Sequence, residues 1–464
     1  MVAKAKAVGA CLVRQWSPLC LSVLLLACSP TFAVTVPAPA SASAPQAPAK
    51  VQGSPPVGSQ AQPQVQTHAQ TQAQTQAQTL PQESSTVAAV RVVCPVENWP
   101  LWSEFLKFFV TPDGRVIYSF APKADSVSEG QSYAMFFALI ANDPANFEKI
   151  WRWTVRNMFA SDLDSRLPAW LWGQAEDGSW KVLDAHSASD SDTWIAYLLL
   201  EAGRVWQRPD YTSEGNKVLA TIEKYLILDL PNFGKMLSAG KVSFVEPDDI
   251  WRLNPSYLPI PLLRRLAELR PNGPWTEIAM NTPRLLKATS PKGFAADWVS
   301  YLRPAAGRAY FGIDELGADR GSYDAIRVYM WAGMTAKDDP LAAEVLKTVP
   351  GMLTYISANR QPPENVVVTT GVVSGQAPFG FSAAVLPYLK ALGATQLYEE
   401  QEQRARSLQV ASSRDRTMFP VRPPYYDYAL SLFAFGWTEG RYQFLKNGQA
   451  KFHWEKSCSY AAVR

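Results

Sequence analysis

Histidine and cysteine are scarce in this chain, and their scarcity removes whole classes of chemistry. Its 464 residues hold three His, at positions 68, 186 and 453, and no His or Cys cluster has the spacing of metal ligands. There is no Gly-x-Ser-x-Gly elbow, and only His186 stands near a motif, so a Ser-His-Asp hydrolase has no foothold. No metal and no cofactor is expected. Net charge of one sign is lacking too. Beyond residue 92 the chain carries 39 Lys and Arg against 40 Asp and Glu, and the overall +3 belongs to the first 92 residues. Without a basic stripe, nucleic acid is not an expected partner. The apolar run Leu19–Ala27 is too short to span a bilayer comfortably.

That run does have the form of an export signal. Lys4, Lys6 and Arg14 precede it as a basic region. Two processing readings stand side by side. Thr31-Phe-Ala33 offers a small-residue cleavage site, giving a signal peptide over 1–33. Leu25-Leu-Ala-Cys28 offers a lipoprotein box, with a signal ending at 27 and a lipid on Cys28. The expected location is the periplasm or the exterior, or the outer membrane through that lipid alone. Residues 34–92 are rich in Ala, Gln, Pro and Thr, with too little apolar mass to offset chain entropy, and read as a disordered tether.

From about residue 93 the composition changes, and 15 of the 16 Trp lie beyond this point. Two Cys belong to this part, Cys94 and Cys458, one at each end. In an exported protein they form a candidate disulfide. Helical spacing predicts helices over 99–109, 129–141, 145–158, 190–206, 213–228, 257–269, 275–288, 323–335, 340–348, 378–392, 395–408 and 425–436. Strand patterns are limited to 114–118 and 366–369. A dozen helices without a fixed repeat fit an all-α double ring, whose inner helices are apolar nearly all round. Residues 190–206, 323–335 and 425–436 have that character. One domain is expected over 93–464, because nothing like a linker follows residue 93.

Carboxylates stand at the mouths of these helices. Asp190 and Asp192 open one helix, where Ser189 or Asp190 suits a cap and the acids suit the helix dipole. Glu129 opens another, after Ser126 and Ser128, either of which suits a cap. Asp324 lies one turn before Arg327, which is placed to pair with it. Each group has a plain structural reading as a cap or an ion pair. Together, among aromatic segments, they are the equipment of a glycoside hydrolase. Trp170 and Trp172 share one face if their segment is extended. Tyr257, Trp251, Trp298 and Tyr425–Tyr428 add further rings for stacking on sugars, although most of the Trp must fill the core.

These segments resemble glycoside hydrolase family 8, over about residues 94–460. The matching motifs are Ser128-Glu-Gly-Gln-Ser-Tyr133, Leu167-Pro-Ala-Trp-Leu-Trp-Gly173, Ala188-Ser-Asp-Ser-Asp192, Asn254-Pro-Ser-Tyr-Leu-Pro259 and Ser322-Tyr-Asp-Ala-Ile-Arg-Val-Tyr329. The resemblance implies an (α/α)6 barrel that hydrolyses β-1,4-glucan with inversion, similar to the exported endoglucanases of bacterial cellulose synthase operons. The cellulose synthase complex is then a candidate partner. Glu129 matches the proton donor and Asp324 the general base. Asp190 matches an aspartate often called a nucleophile, a label that inversion contradicts, so it is read as holding and distorting the sugar. Asp192, Trp170, Trp172, Tyr257, Tyr323 and Arg327 are the expected substrate-binding residues. Ser191 departs from the family's usual Gly or Ala, and Leu198 from a smaller residue.

Overall fold

The computed structural model describes residues 90–118, 124–241, 244–246, 249–414 and 423–462. The export signal and the tether up to residue 89 lie outside the described residues. Fourteen helices are described: α1 Pro100–Phe109, α2 Ser128–Ile140, α3 Pro144–Asn157, α4 Ser189–Val205, α5 Pro209–Tyr225, α6 Ile260–Leu269 and α7 Trp275–Thr289, then α8 Ile326–Met334, α9 Pro340–Thr348, α10 Gly351–Asn359, α11 Phe379–Ala384, α12 Leu386–Ala391, α13 Thr395–Arg414 and α14 Tyr425–Thr438.

They make an (α/α)6 barrel. Its inner ring runs α2, α4, α6, α8, the pair α11–α12, and α14, which closes on α2; α3, α5, α7, α9, α13 and α1 pack outside. Among the inner helices, α4, α8 and α14 are buried nearly all round, as expected. The same holds for α2, whose residues from Gly130 to Ile140 are all buried. Rings from four inner helices meet on the barrel axis. Trp194 lies 5.6 Å from Trp331 and 5.5 Å from Phe433, and Tyr133 lies 4.8 Å from Phe433. Each buried ring or large aliphatic side chain stabilises the barrel by roughly 1.5–3 kcal/mol.

Prolines account for two departures from the expected helices. Pro259 and Pro261 delay α6 to Ile260, after a short 3-10 turn at Pro255–Tyr257. Pro387 falls in the first turn of α12 and divides the expected helix 378–392 in two. The expected strand 114–118 is only a single bridge, Val110 to Val116. The loops hold more strand than expected. Leu171–Gln174 pairs with Trp180–Asp184, and a four-stranded antiparallel sheet joins Val245–Glu246, Ile250–Leu253, Val299–Leu302 and Tyr310–Ile313. These short strands stand beside the N-terminal ends of the inner helices and form the walls above the ring. At the chain ends, Val90–Val93 pairs with Ser459–Ala462, and Cys94 is bonded to Cys458 across a separation of 364 residues.

Candidate active site

Glu129, Asp190 and Asp324 converge at the N-terminal end of the inner ring, although 61 and 134 residues separate them in turn. Arg327 gathers them. Its Nη1 contacts Glu129 Oε2 and lies 3.7 Å from Asp190 Oδ2, and its Nη2 lies 2.5 Å from Asp324 Oδ1. Ser256 Oγ accepts Arg327 Nε at 3.2 Å and Nη2 at 3.0 Å, and Tyr133 Oη accepts Nη1 at 3.3 Å. The expected pairing of Arg327 with Asp324 is therefore present, within a wider set. Arg327 is 2% exposed, so one desolvated cation faces three carboxyl groups.

Glu129 occupies the second position of α2. No side chain caps this helix. The Ser128 hydroxyl, expected as a cap, meets the Ser191 hydroxyl at 2.7 Å, and Ser191 also donates to the Ala188 carbonyl at 2.8 Å. The residue that departs from the family pattern thus ties the mouth of α2 to the mouth of α4. The Ser128 N–H donates to the Trp170 carbonyl, and Trp170 N–H to the His186 carbonyl, which fixes Glu129 against the neighbouring strands.

Asp190 lies beneath the other two carboxylates. Its Oδ1 accepts the Ser191 N–H at 2.7 Å rather than capping the helix, and its Oδ2 is buried without a hydrogen bond. Burial and then the charge of Glu129 push its carboxyl well above the usual range, against the pull of Arg327. Asp192 was expected at the substrate and is not there. Two helical positions past Asp190 it faces another direction, is 0% exposed, and neither oxygen makes a hydrogen bond of good geometry. Burial, then the charge of Asp190, raises its pKa well above the ordinary value, opposed only by the Ser187 hydroxyl.

A cleft of about 640 Å³ opens above Glu129, Asp324 and Arg327. Trp170, Tyr257, Tyr323, Trp298 and Tyr426 line it as expected, joined by Tyr118. Trp170 is 40% exposed and available for stacking. Trp172 does not reach the cleft. A bulge between Leu171 and Trp172 breaks the alternation that would keep it on the side of Trp170, and it packs on Trp153 and Trp180 with Arg115 above. Trp251 lies in the sheet against Tyr301. Sequence reasoning missed the His186–Asp184 pair in the cleft wall, Nδ1 to Oδ1 2.6 Å, and the Ser256 hydroxyl under Arg327. Neither carries a signal of its own: one joins two exposed side chains two positions apart, the other is a serine inside a turn motif.

A larger groove, about 1240 Å³, lies at the far end of α8 around Lys337, Trp437 and Lys446. Its carboxylates are Asp338 on the surface and Asp339, which Arg264 holds bidentately at 2.7 and 2.8 Å. It offers no pair of carboxylates facing a shared space, so the chemistry belongs to the cleft over Glu129.

Comparison with known proteins assigns the chain to a family. The family profile described as glycosyl hydrolases family 8 matches residues 84–440. The chain is 45% identical over 369 residues to a protein of Pseudomonas fluorescens (strain SBW25) named Endoglucanase, covering 78% of this chain and 93% of that one. It is 44% identical to an Endoglucanase of Xanthomonas axonopodis pv. citri (strain 306), over 77% of this chain and 89% of the relative. Among solved structures, an endo-1,4-D-glucanase from Vibrio fischeri ES114 superposes with a TM-score of 0.71 at 38% identity, over 77% of this chain and 99% of that one. With its (α/α)6 barrel and its carboxylates gathered on one arginine, the chain belongs to glycoside hydrolase family 8.

Proposed function

We propose that this chain is an exported endo-β-1,4-glucanase that cuts internal bonds of glucan with inversion, trimming polymer during cellulose synthesis. The observation that carries the reading is the placement of Glu129 and Asp324 on the two terminal nitrogens of one guanidinium, facing one aromatic cleft. An inverting pair stands about 6.5–9.5 Å apart, which leaves room for a water beside the sugar, and this reading requires that separation between Glu129 and Asp324. The relatives named Endoglucanase support the substrate class.

In this reading Glu129, in its acid form, protonates the departing glycosidic oxygen. Asp324 takes a proton from the water that attacks the opposite face of the anomeric carbon. Arg327 stabilises the Asp324 carboxylate and orients both groups through Ser256 and Tyr133. Asp190 acts from beneath, setting the field at Glu129 and Arg327, and offers Oδ2 to a sugar hydroxyl when substrate displaces the arginine. Trp170 and Tyr257 present ring faces to successive sugars. The basic, apolar start of the sequence supports export to the periplasm or beyond, with a lipid on Cys28 as the alternative mode of retention. Association with the cellulose synthase complex is part of the proposal.

The test is reducing-end release from soluble β-1,4-glucan by residues 93–464, compared with Glu129→Gln. The amide keeps the size and removes the acid, and is expected to lower kcat about 10²–10⁴-fold. Binding of glucan by both proteins with cleavage by neither would replace the enzyme reading with a binding-protein one.

A further inference from the structure

Asp324 sits in the turn Ser322–Ala325, just before α8, and α8 has no side-chain cap from its own segment. The missing acceptor comes from elsewhere in the chain. Asp297 Oδ1 accepts three backbone N–H groups, from Ser322 at 2.7 Å, Asp324 at 3.1 Å and Ala325 at 2.9 Å. Its Oδ2 accepts Arg320 Nε at 3.1 Å, and its own N–H donates to the Arg320 carbonyl at 2.7 Å. Asp297 is 2% exposed. A carboxylate is placed there only if its charge is answered, and three N–H groups with a guanidinium answer it. Gly321 allows the two segments to cross: a Cβ there would stand 2.1 Å from the Ala295 carbonyl oxygen.

We propose that Asp297 is a positioning residue for the general base: its carboxylate fixes the turn that aims Asp324, and its negative charge acts on Asp324 across that turn. The inference rests on Asp324 being the base. The groups facing Asp297 are Arg320, Asp324, Tyr329 and Tyr426. Those facing Asp324 are Asp297, Arg327, Asp190, Tyr118, Tyr257 and Tyr426. Burial and then the charge of Asp324 raise the carboxyl of Asp297 above its ordinary value, so the two acids act on each other.

Asp297→Asn keeps an oxygen for the three N–H groups and removes the charge. Loss of a negative charge beside the site moves the acid limb of kcat/KM to lower pH, while activity at neutral pH is largely kept. Asp297→Ala removes the oxygen as well, and kcat is expected to fall about 10–100-fold with KM little changed, because the base is misaimed while the sugar still binds. The experiment is a pH profile of kcat/KM on soluble β-1,4-glucan for the wild type, both variants and Asp324→Asn. The position of the limb does not depend on how much protein is folded, so a lower yield of either variant leaves it readable. An unmoved acid limb in Asp297→Asn, or a wild-type kcat in Asp297→Ala, overturns the inference while Asp324→Asn is inactive. An active Asp324→Asn instead overturns the assignment of the base, and the inference falls with it.

Discussion

Arg327→Met is the substitution that separates a charge-balanced site from a merely well-packed one. Methionine preserves much of the volume and removes the single cation shared by Glu129, Asp190 and Asp324. Removing one partner of a buried ion pair costs about 3–5 kcal/mol. The Asp324 and Glu129 side chains are 29% and 15% exposed, and solvent reaching them points to the lower end, about 3 kcal/mol. A domain of about 370 residues has an unfolding entropy of about 0.8 kcal/mol per degree, so the expected loss in Tm is about 4 °C at neutral pH. The loss should depend on pH, and its sign follows from proton linkage. The Asp190 carboxyl is held above its unfolded pKa even with the arginine present, and loss of the cation raises it further. Such groups contribute fully below the unfolded pKa, and the contribution is lost as pH rises through the folded pKa. The deficit should therefore be small near about pH 4 and complete by about pH 8. Calorimetry or circular dichroism of both proteins at the two pH values measures it. Equal Tm losses at both, or a larger loss in acid, would mean that Arg327 contributes packing rather than charge balance.

Three further outcomes follow from individual contacts. Trp170→Ala should raise KM for glucan oligomers several-fold with kcat less affected, since an exposed ring in the cleft contributes about 1 kcal/mol of contact; steady-state kinetics on cello-oligosaccharides reads it. Ser191→Ala removes the hydroxyl link between the mouths of α2 and α4 and should lower stability by about 1 kcal/mol, or about 1 °C in Tm, because the Ser128 hydroxyl loses a partner. Cys94→Ser should lower Tm by several degrees, as a terminal disulfide contributes about 2–5 kcal/mol, and leave kcat unchanged because the bridge joins the chain ends far from the carboxylates.

What could be read from the sequence and what could not divide along a physical line. Local periodicity marks α4 and α14 as inner helices because each carries its apolar residues in one continuous segment. The acids at the mouths of α2 and α4 and before α8 are legible for the same reason, as departures from apolar runs. Capping was misjudged. Ser128 and Asp190 have the right side chains at the right places, but a tertiary contact with the Ser191 hydroxyl claims the first and the N–H of the adjoining Ser191 the second. Asp297 gave no signal at all, since its three acceptor contacts join segments 25 to 28 residues apart that only the folded crossing at Gly321 brings together. Trp172 was placed on the side of Trp170 by assuming a common face, whereas the hairpin turns it onto Trp153 and Trp180. The four-stranded sheet escaped notice because its strands run to four residues at most, too short for an alternating pattern to stand out.

The most direct measurement is the anomeric configuration of the first product, followed by proton NMR during the opening minutes of hydrolysis of a β-1,4-linked cello-oligosaccharide. Glu129 as acid and Asp324 as base on a guided water predict that the α-anomer appears first and then mutarotates toward equilibrium. An initial β-anomer would mean a covalent glycosyl-enzyme, a different nucleophile, and a different role for every carboxylate around Arg327.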